Sequence, residues 1–156
     1  MKPNDAVLKI MTPSIDMVTV SKDETIARIK GIFEKNSFHH IPVMENEKLI
    51  GIISKSDFLL SNYIMSYKAT GKTEVDFESK YYCAKDIMTE YPMCVDPEDT
   101  IGLVADIFLS NKFHSLPVLD EGELVGIVTS HDLLAYAFRS PIATEALVVG
   151  INAEES

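Results

Sequence analysis

Two heptapeptides carry residue types at a spacing suited to binding chemistry: Gly51-Ile52-Ile53-Ser54-Lys55-Ser56-Asp57 and Gly126-Ile127-Val128-Thr129-Ser130-His131-Asp132. Each places a hydroxyl three residues after a glycine and a carboxylate three residues after the hydroxyl. A hydroxyl at a strand-to-helix junction caps the helix, whose free N–H groups and positive dipole end form a ready anion site. Aspartate on the first turn then stands near the hydroxyl, and its carboxylate can accept two hydrogen bonds from a vicinal diol such as the 2′- and 3′-hydroxyls of a ribose. The plain alternative is that Ser54 with Asp57, and Thr129 with Asp132, are N-caps with dipole-matched acids. Recurrence of the same spacing weighs against it, because a cap alone can be built from many residues. A glycine within a buried strand costs stability, so Gly51 and Gly126 predict the close approach of a neighbouring backbone or a flat ligand.

The elements that must position these residues come in two copies. The chain aligns with itself at a shift of 75, as Gly51 and Gly126 show, so residues 25–60 lie over 100–135. Thr25-Ile26 matches Thr100-Ile101, Ile32-Phe33 matches Ile107-Phe108, Phe38-His39 matches Phe113-His114, and Pro42-Val43 matches Pro117-Val118. Upstream, Ile10-Met11-Thr12 recurs as Ile87-Met88-Thr89 at a shift of 77.

Each copy reads as strand, helix, strand, strand, helix. The first strand runs from Val18 to Val20, or from Cys94 to Val95. Ser21-x-x-Glu24 has capping-box spacing, and Asp96-Pro97-Glu98 offers a cap followed by proline at the first helical position. Ile26, Ile29, Ile32 and Phe33 then share one helical face, as do Ile101, Val104, Ile107 and Phe108. A strand through Ile41-Pro42-Val43 or Leu116-Pro117-Val118 follows, and its proline predicts an interrupted or edge-like stretch. The runs Leu49–Ile53 and Leu124–Val128 are apolar on both faces, as in a strand buried on both sides. The last helices begin at Ser54 and Thr129 and present Leu59, Tyr63 and Ile64, or Leu133, Tyr136 and Phe138, as apolar surface. Lys68–Glu74 reads as a polar loop, and the apolar patch Ala146–Val149 has no assigned place.

The chain has 156 residues, with 14 Lys and Arg against 24 Asp and Glu, a formal charge of −10. Its length and its 46% hydrophobic content are enough for a buried core. Net acidity argues against direct nucleic-acid binding or attachment to an anionic membrane, and no apolar run reaches the roughly 18 residues of a membrane span. Two cysteines without metal-ligand spacing predict neither a disulfide framework nor a zinc site. A cytoplasmic location is expected.

The residues quoted above give the chain a specific likeness. Ile10-Met11-Thr12, Ile41-Pro42-Val43 and Gly51-x-x-Ser54-x-x-Asp57, with their second copies Ile87-Met88-Thr89, Leu116-Pro117-Val118 and Gly126-x-x-Thr129-x-x-Asp132, resemble a tandem pair of cystathionine β-synthase (CBS) domains, the Bateman module. The resemblance covers residues 8–140 and implies an α+β fold of two βαββα motifs related by a pseudo-two-fold axis. It divides the chain into a first motif at 8–66, a linker at 67–84, a second motif at 85–140 and a tail at 141–156. It also implies clefts between the motifs that bind adenosine-containing ligands, and disc-shaped homodimers. Carried over by position, Ser54, Asp57, Thr129 and Asp132 would hold ribose. Thr12, Met17, Val18 and Ile41 would wall one adenine slot, with Thr89, Pro92, Met93 and Leu116 as counterparts. His39, His40, Lys55, His114, Ser115 and His131 are the phosphate candidates. All four histidines of the chain occupy such positions. Phosphate favours protonated imidazole, so binding should strengthen toward pH 6.

The function expected is a regulatory module, not an enzyme. It needs no cofactor, takes AMP, ADP or ATP as its ligand, and signals to a separate, unidentified protein through a change of shape. The competing readings are a ligand-independent scaffold and a weak nucleotide hydrolase. Against catalysis stands the lack of a Walker-type loop, a GxSxG elbow or a metal-ligand motif.

Overall fold

A computed structural model describes residues 2–70 and 82–139. In chain order the elements are β1 (Thr12–Pro13), β2 (Val20–Ser21), α1 (Ile26–Lys35), β3 (His40–Glu45), β4 (Lys48–Ser54) and α2 (Lys55–Thr70). There follow α3 (Ala84–Ile87), β5 (Thr89–Glu90), α4 (Ile101–Ser110), β6 (Ser115–Asp120), β7 (Glu123–Thr129) and α5 (Ser130–Phe138). The fold is α+β.

The described residues divide into two compact units. One, the first-repeat unit, holds residues 15–70, 82–93 and 121–124. Its sheet has the order β2-β3-β4-β5, with β2 parallel to β3 and the rest antiparallel. The second-repeat unit holds residues 2–14, 94–120 and 125–139, and its sheet has the order β1-β7-β6. The leading segments therefore cross between the repeats. Ile10-Met11-Thr12 serves the second repeat, where Thr12 lies opposite Ile127, and Ile87-Met88-Thr89 serves the first, where Thr89 lies opposite Ile52.

Each unit has its own core. Ile26, Ile29 and Phe33 of α1 pack with Ile41, Val43, Ile53 and Phe58, and the Phe33 and Phe58 rings stand 5.6 Å apart. In the other unit Val7 and Val95 join Val104, Leu116, Val118 and Val128. The expected helical faces are present, with Ile32, Ile107 and Phe108 at their half-buried margins. Pro42 lies where β3 has only β4 as a neighbour, since β2 pairs solely with Val43 and Met44, so its missing N–H interrupts no ladder on that side.

Both expected helix starts fall too early. The N-caps are Thr25 and Thr100, whose hydroxyls accept from the N–H groups of Arg28 (3.3 Å) and Leu103 (3.2 Å). Ser21 belongs to β2, and Asp96 to Asp99 form a turn in which the Asp99 carboxylate accepts from Asp96 N–H at 2.8 Å. The capping signature was real hydrogen-bonding potential, spent on the turn before the helix. The first strand of each copy is also shifted, to Val20–Ser21 in one and to a single parallel bridge between Val95 and Val118 in the other. Lys68, Ala69 and Thr70 belong to α2 and not to a loop, while residues 71–74 and the patch at 146–149 lie outside the described residues.

Candidate functional site

The two motifs sit at corresponding corners, where β4 turns into α2 and β7 into α5. Each corner is fixed first by main chain. The carbonyl of His39 accepts from Lys55 N–H at 2.7 Å, and that of His114 from Ser130 N–H at 3.0 Å. Each therefore binds the first helical N–H to the chain entering β3 or β6.

The hydroxyls act next. Ser54 Oγ accepts from Asp57 N–H at 3.0 Å, and Thr129 Oγ1 accepts from Asp132 N–H at 3.2 Å. Both are genuine N-caps. The carboxylates differ: Asp132 Oδ2 accepts from the Thr129 N–H (2.8 Å) and hydroxyl (2.7 Å), closing a capping box, whereas the Asp57 carboxylate takes no such bond among the described residues. Asp57 is exposed and Asp132 half-buried. Asp57 thus presents two open oxygens to a diol, and Asp132 presents Oδ1.

The glycines of the motifs are explained by the chain itself. A Cβ at Gly51 would stand 2.4 Å from Met88 Sδ and 3.0 Å from the Thr89 carbonyl oxygen. At Gly126 it would stand 2.7 Å from both Met11 Sδ and the Thr12 carbonyl oxygen. Of the two expected reasons for glycine, a neighbouring backbone applies, and that backbone is the crossed leading segment.

The remaining expected site residues fall into two groups. Met17, Val18, Ile41, Thr89, Pro92 and Met93 belong to the first-repeat unit with Ser54 and Asp57; Thr12 and Leu116 belong to the second-repeat unit with Thr129 and Asp132. The expected slot of Thr12, Met17, Val18 and Ile41 is thus divided between the units. Ile41 and Leu116 are fully buried in the hydrophobic clusters and so offer no open wall to a ligand. Met93 is half exposed. Of the phosphate candidates, His40 lies opposite Ser54 across the β3–β4 ladder. His39, His114 and His131 are exposed, Lys55 is half-buried, and Ser115 is buried in β6.

One cluster escaped the sequence patterns. In the second-repeat unit the Asp5 carboxylate accepts a short hydrogen bond from the Tyr136 hydroxyl and a 2.9 Å charged one from Lys9 Nζ. Tyr136 is therefore half-buried and committed, and the outward apolar residues of α5 are Leu134 and Phe138. Lys9 at i+4 was legible from Asp5, but no local signal connects residues 5 and 136.

The thiols are unsuited to nucleophilic work. Burial and the adjacent Asp86 carboxylate push the Cys83 thiol up, burial pushes Cys94 up, and neither is in a disulfide. Among the described residues no cluster of three or more His, Cys, Asp or Glu side chains could hold a metal, and no helix is long and apolar enough to cross a membrane.

Comparison with known proteins agrees with the motifs. The CBS domain family model matches residues 7–61 and 84–139. An inosine-5'-monophosphate dehydrogenase of Korarchaeum cryptofilum is 30% identical over 130 residues, 83% of this chain but 24% of that protein. The chain thus spans about a quarter of the dehydrogenase. The chloroplastic CBS domain-containing protein CBSX1 of Arabidopsis thaliana is 28% identical over 84% of this chain and 63% of its own. Among solved structures, CBSX2 in complex with AMP superposes with a TM-score of 0.71 at 25% identity, covering 86% of this chain and 96% of that one.

Proposed function

The chain belongs to the CBS domain family, and from that membership we propose that it is a regulatory module. It binds an adenosine-containing nucleotide of the AMP, ADP or ATP class and passes the bound state to a separate protein by a change of shape. The observation that supports this most is the repeated corner, in which a capped helix N-terminus, a hydroxyl and a carboxylate recur in both units with the same main-chain clamp. The AMP complex of the similar CBSX2 agrees with it.

In this reading Asp57 and Asp132 accept the ribose hydroxyls. Thr12, Met17, Val18, Thr89, Pro92 and Met93 contact adenine, with Ile41 and Leu116 behind them. His39, His40, Lys55, His114, Ser115 and His131 lie toward phosphate. No step of bond making is assigned, and no cofactor is required. The exposed Leu59, Tyr63 and Ile64 of α2, with Leu134 and Phe138 of α5, form the surface of a homodimer. The module works in the cytoplasm without direct nucleic-acid contact, consistent with its charge of −10 and two cysteines outside any disulfide.

Calorimetric titration with AMP, ADP and ATP tests this on the wild type, Asp57→Ala and Asp132→Ala. Each substitution should abolish one class of sites and leave the other. Binding that survives both, or no binding at all, overturns the reading. A ligand-independent scaffold is the second reading, and the Thr129–Asp132 capping box favours it at that corner, because one carboxylate oxygen is already used.

A further inference from the structure

We propose that Asp5 and Tyr136 are positioning residues for the nucleotide site at Thr129 and Asp132, acting through the N-terminal strap of residues 2–13. The proposal rests on the nucleotide reading above and adds a control element to one of its two sites.

The strap is bonded along its length to the second-repeat unit. Pro3 and Asp5 carbonyls accept from Gly102 and Ile101 N–H groups at the start of α4, both at 2.8 Å. Val7 N–H donates to the Asp99 carbonyl at 2.8 Å, and Leu8 N–H to that of Pro97 at 3.0 Å. Val7 is fully buried. The far end, β1, pairs with β7 at Ile127 and Gly126. Thr12 therefore stands opposite a residue only two positions before Thr129.

The ribose motif is the corner between β7 and α5, and the strap holds both arms of it. On the β7 arm the bond is the β1 pairing. On the α5 arm it is the Tyr136 hydroxyl, which donates to the Asp5 carboxylate and is also hydrogen-bonded by the Lys2 backbone. Tyr136 follows Asp132 by four residues and so lies on the same face of α5, one turn further. Lys9 holds the second carboxylate oxygen and keeps Asp5 turned toward the helix. The corner angle decides where the Asp132 carboxylate stands relative to Thr129 and Thr12, so a brace across it sets the geometry a diol meets.

The first-repeat corner supplies a control. The positions equivalent to Asp5 and Tyr136, at shifts of 77 and 75, are Tyr82 and Ser61, so the carboxylate–phenol pair belongs to one unit alone.

The test measures AMP affinity in two backgrounds, Asp57→Ala, where only the Thr129–Asp132 site reports, and Asp132→Ala, where only the other does. In the first background Tyr136→Phe and Asp5→Asn should each weaken AMP about tenfold, the scale of losing a charged hydrogen bond, and together little more than either alone. In the second background neither should change it. Hydrogen exchange at Val7 and Leu8 should quicken in both variants and slow when AMP is added to the wild type. Unchanged affinity in the Asp57→Ala background overturns the proposal, and so does an equal loss in both backgrounds, which would mark a general effect on folding. A wild-type chain that binds no nucleotide is recognised before any variant is compared, and it overturns the nucleotide reading together with this one.

Discussion

Single residues carry the asymmetry between the two proposed sites. With both carboxylate oxygens open, Asp57 should bind a diol more tightly than Asp132, which must share with its own cap. Titration of wild-type protein should therefore show two affinities, the tighter one removed by Asp57→Ala. Asp5 sets a pH dependence of its own. The hydrogen bond from Lys9 first, and that from Tyr136 next, hold its carboxyl below the ordinary aspartate value, with the Lys2 charge in the same direction and burial opposing. A carboxyl lowered in this way contributes stability above about pH 4, and that contribution is lost as pH falls through the lowered value. Acid unfolding should show this as a steeper loss in the wild type than in Asp5→Asn, whose amide does not titrate.

Elements show where glycine is required and where it is missing. Gly126→Ala drives a methyl into the Thr12 carbonyl oxygen, which cannot move without β1, and should cost about 2–4 kcal/mol in urea unfolding. Gly51→Ala mainly meets the Met88 side chain, Sδ at 2.4 Å and Cγ at 2.9 Å, with the Thr89 oxygen at 3.0 Å, and should cost about 1–3 kcal/mol, partly restored by Met88→Ala. The β3–β4 turn has positive φ at both Asn46 (48°) and Glu47 (64°), whereas the β6–β7 turn places Gly122 at the second position (φ 87°). Glu47→Gly should raise stability by roughly 0.5–1 kcal/mol, because glycine relieves the left-handed strain at some cost in entropy. The repeat was legible because both copies bury the same helical faces and strands. The helix starts were less legible because Ser21-x-x-Glu24 matches a capping box more fully than Thr25 alone does. Yet the pair Thr25-Ile26 and Thr100-Ile101, already aligned, was the usable signal. The Asp5–Tyr136 bond left no such trace, since side chains 131 positions apart meet only through the crossing of the strap.

At the scale of the molecule, the proposed homodimer would use the outward faces of α2 and α5. Leu59, Tyr63 and Ile64 are 57%, 54% and 43% exposed, and Leu134 is 58% exposed. Burying them in a standard interface of about 1,200–2,000 Å² would hold two copies together. Light scattering should give twice the mass of one chain for the wild type and the mass of one for Tyr63→Glu with Leu134→Glu. A wild-type monomer would remove the dimer from the account. The crossing of the leading segments also sets a timetable. Thr12 is made 115 residues before its partner Ile127, which at about 5–20 residues per second is roughly 6–23 s of waiting on the ribosome. Until Pro97 to Gly102 are made the strap lacks its main-chain partners, and β1 itself stays unpaired until β7 follows. The sheet of the second-repeat unit closes only when its last strand is made, so a nonsense codon before β7 leaves β1 unpaired, and one before Pro97 leaves the whole strap without its main-chain partners.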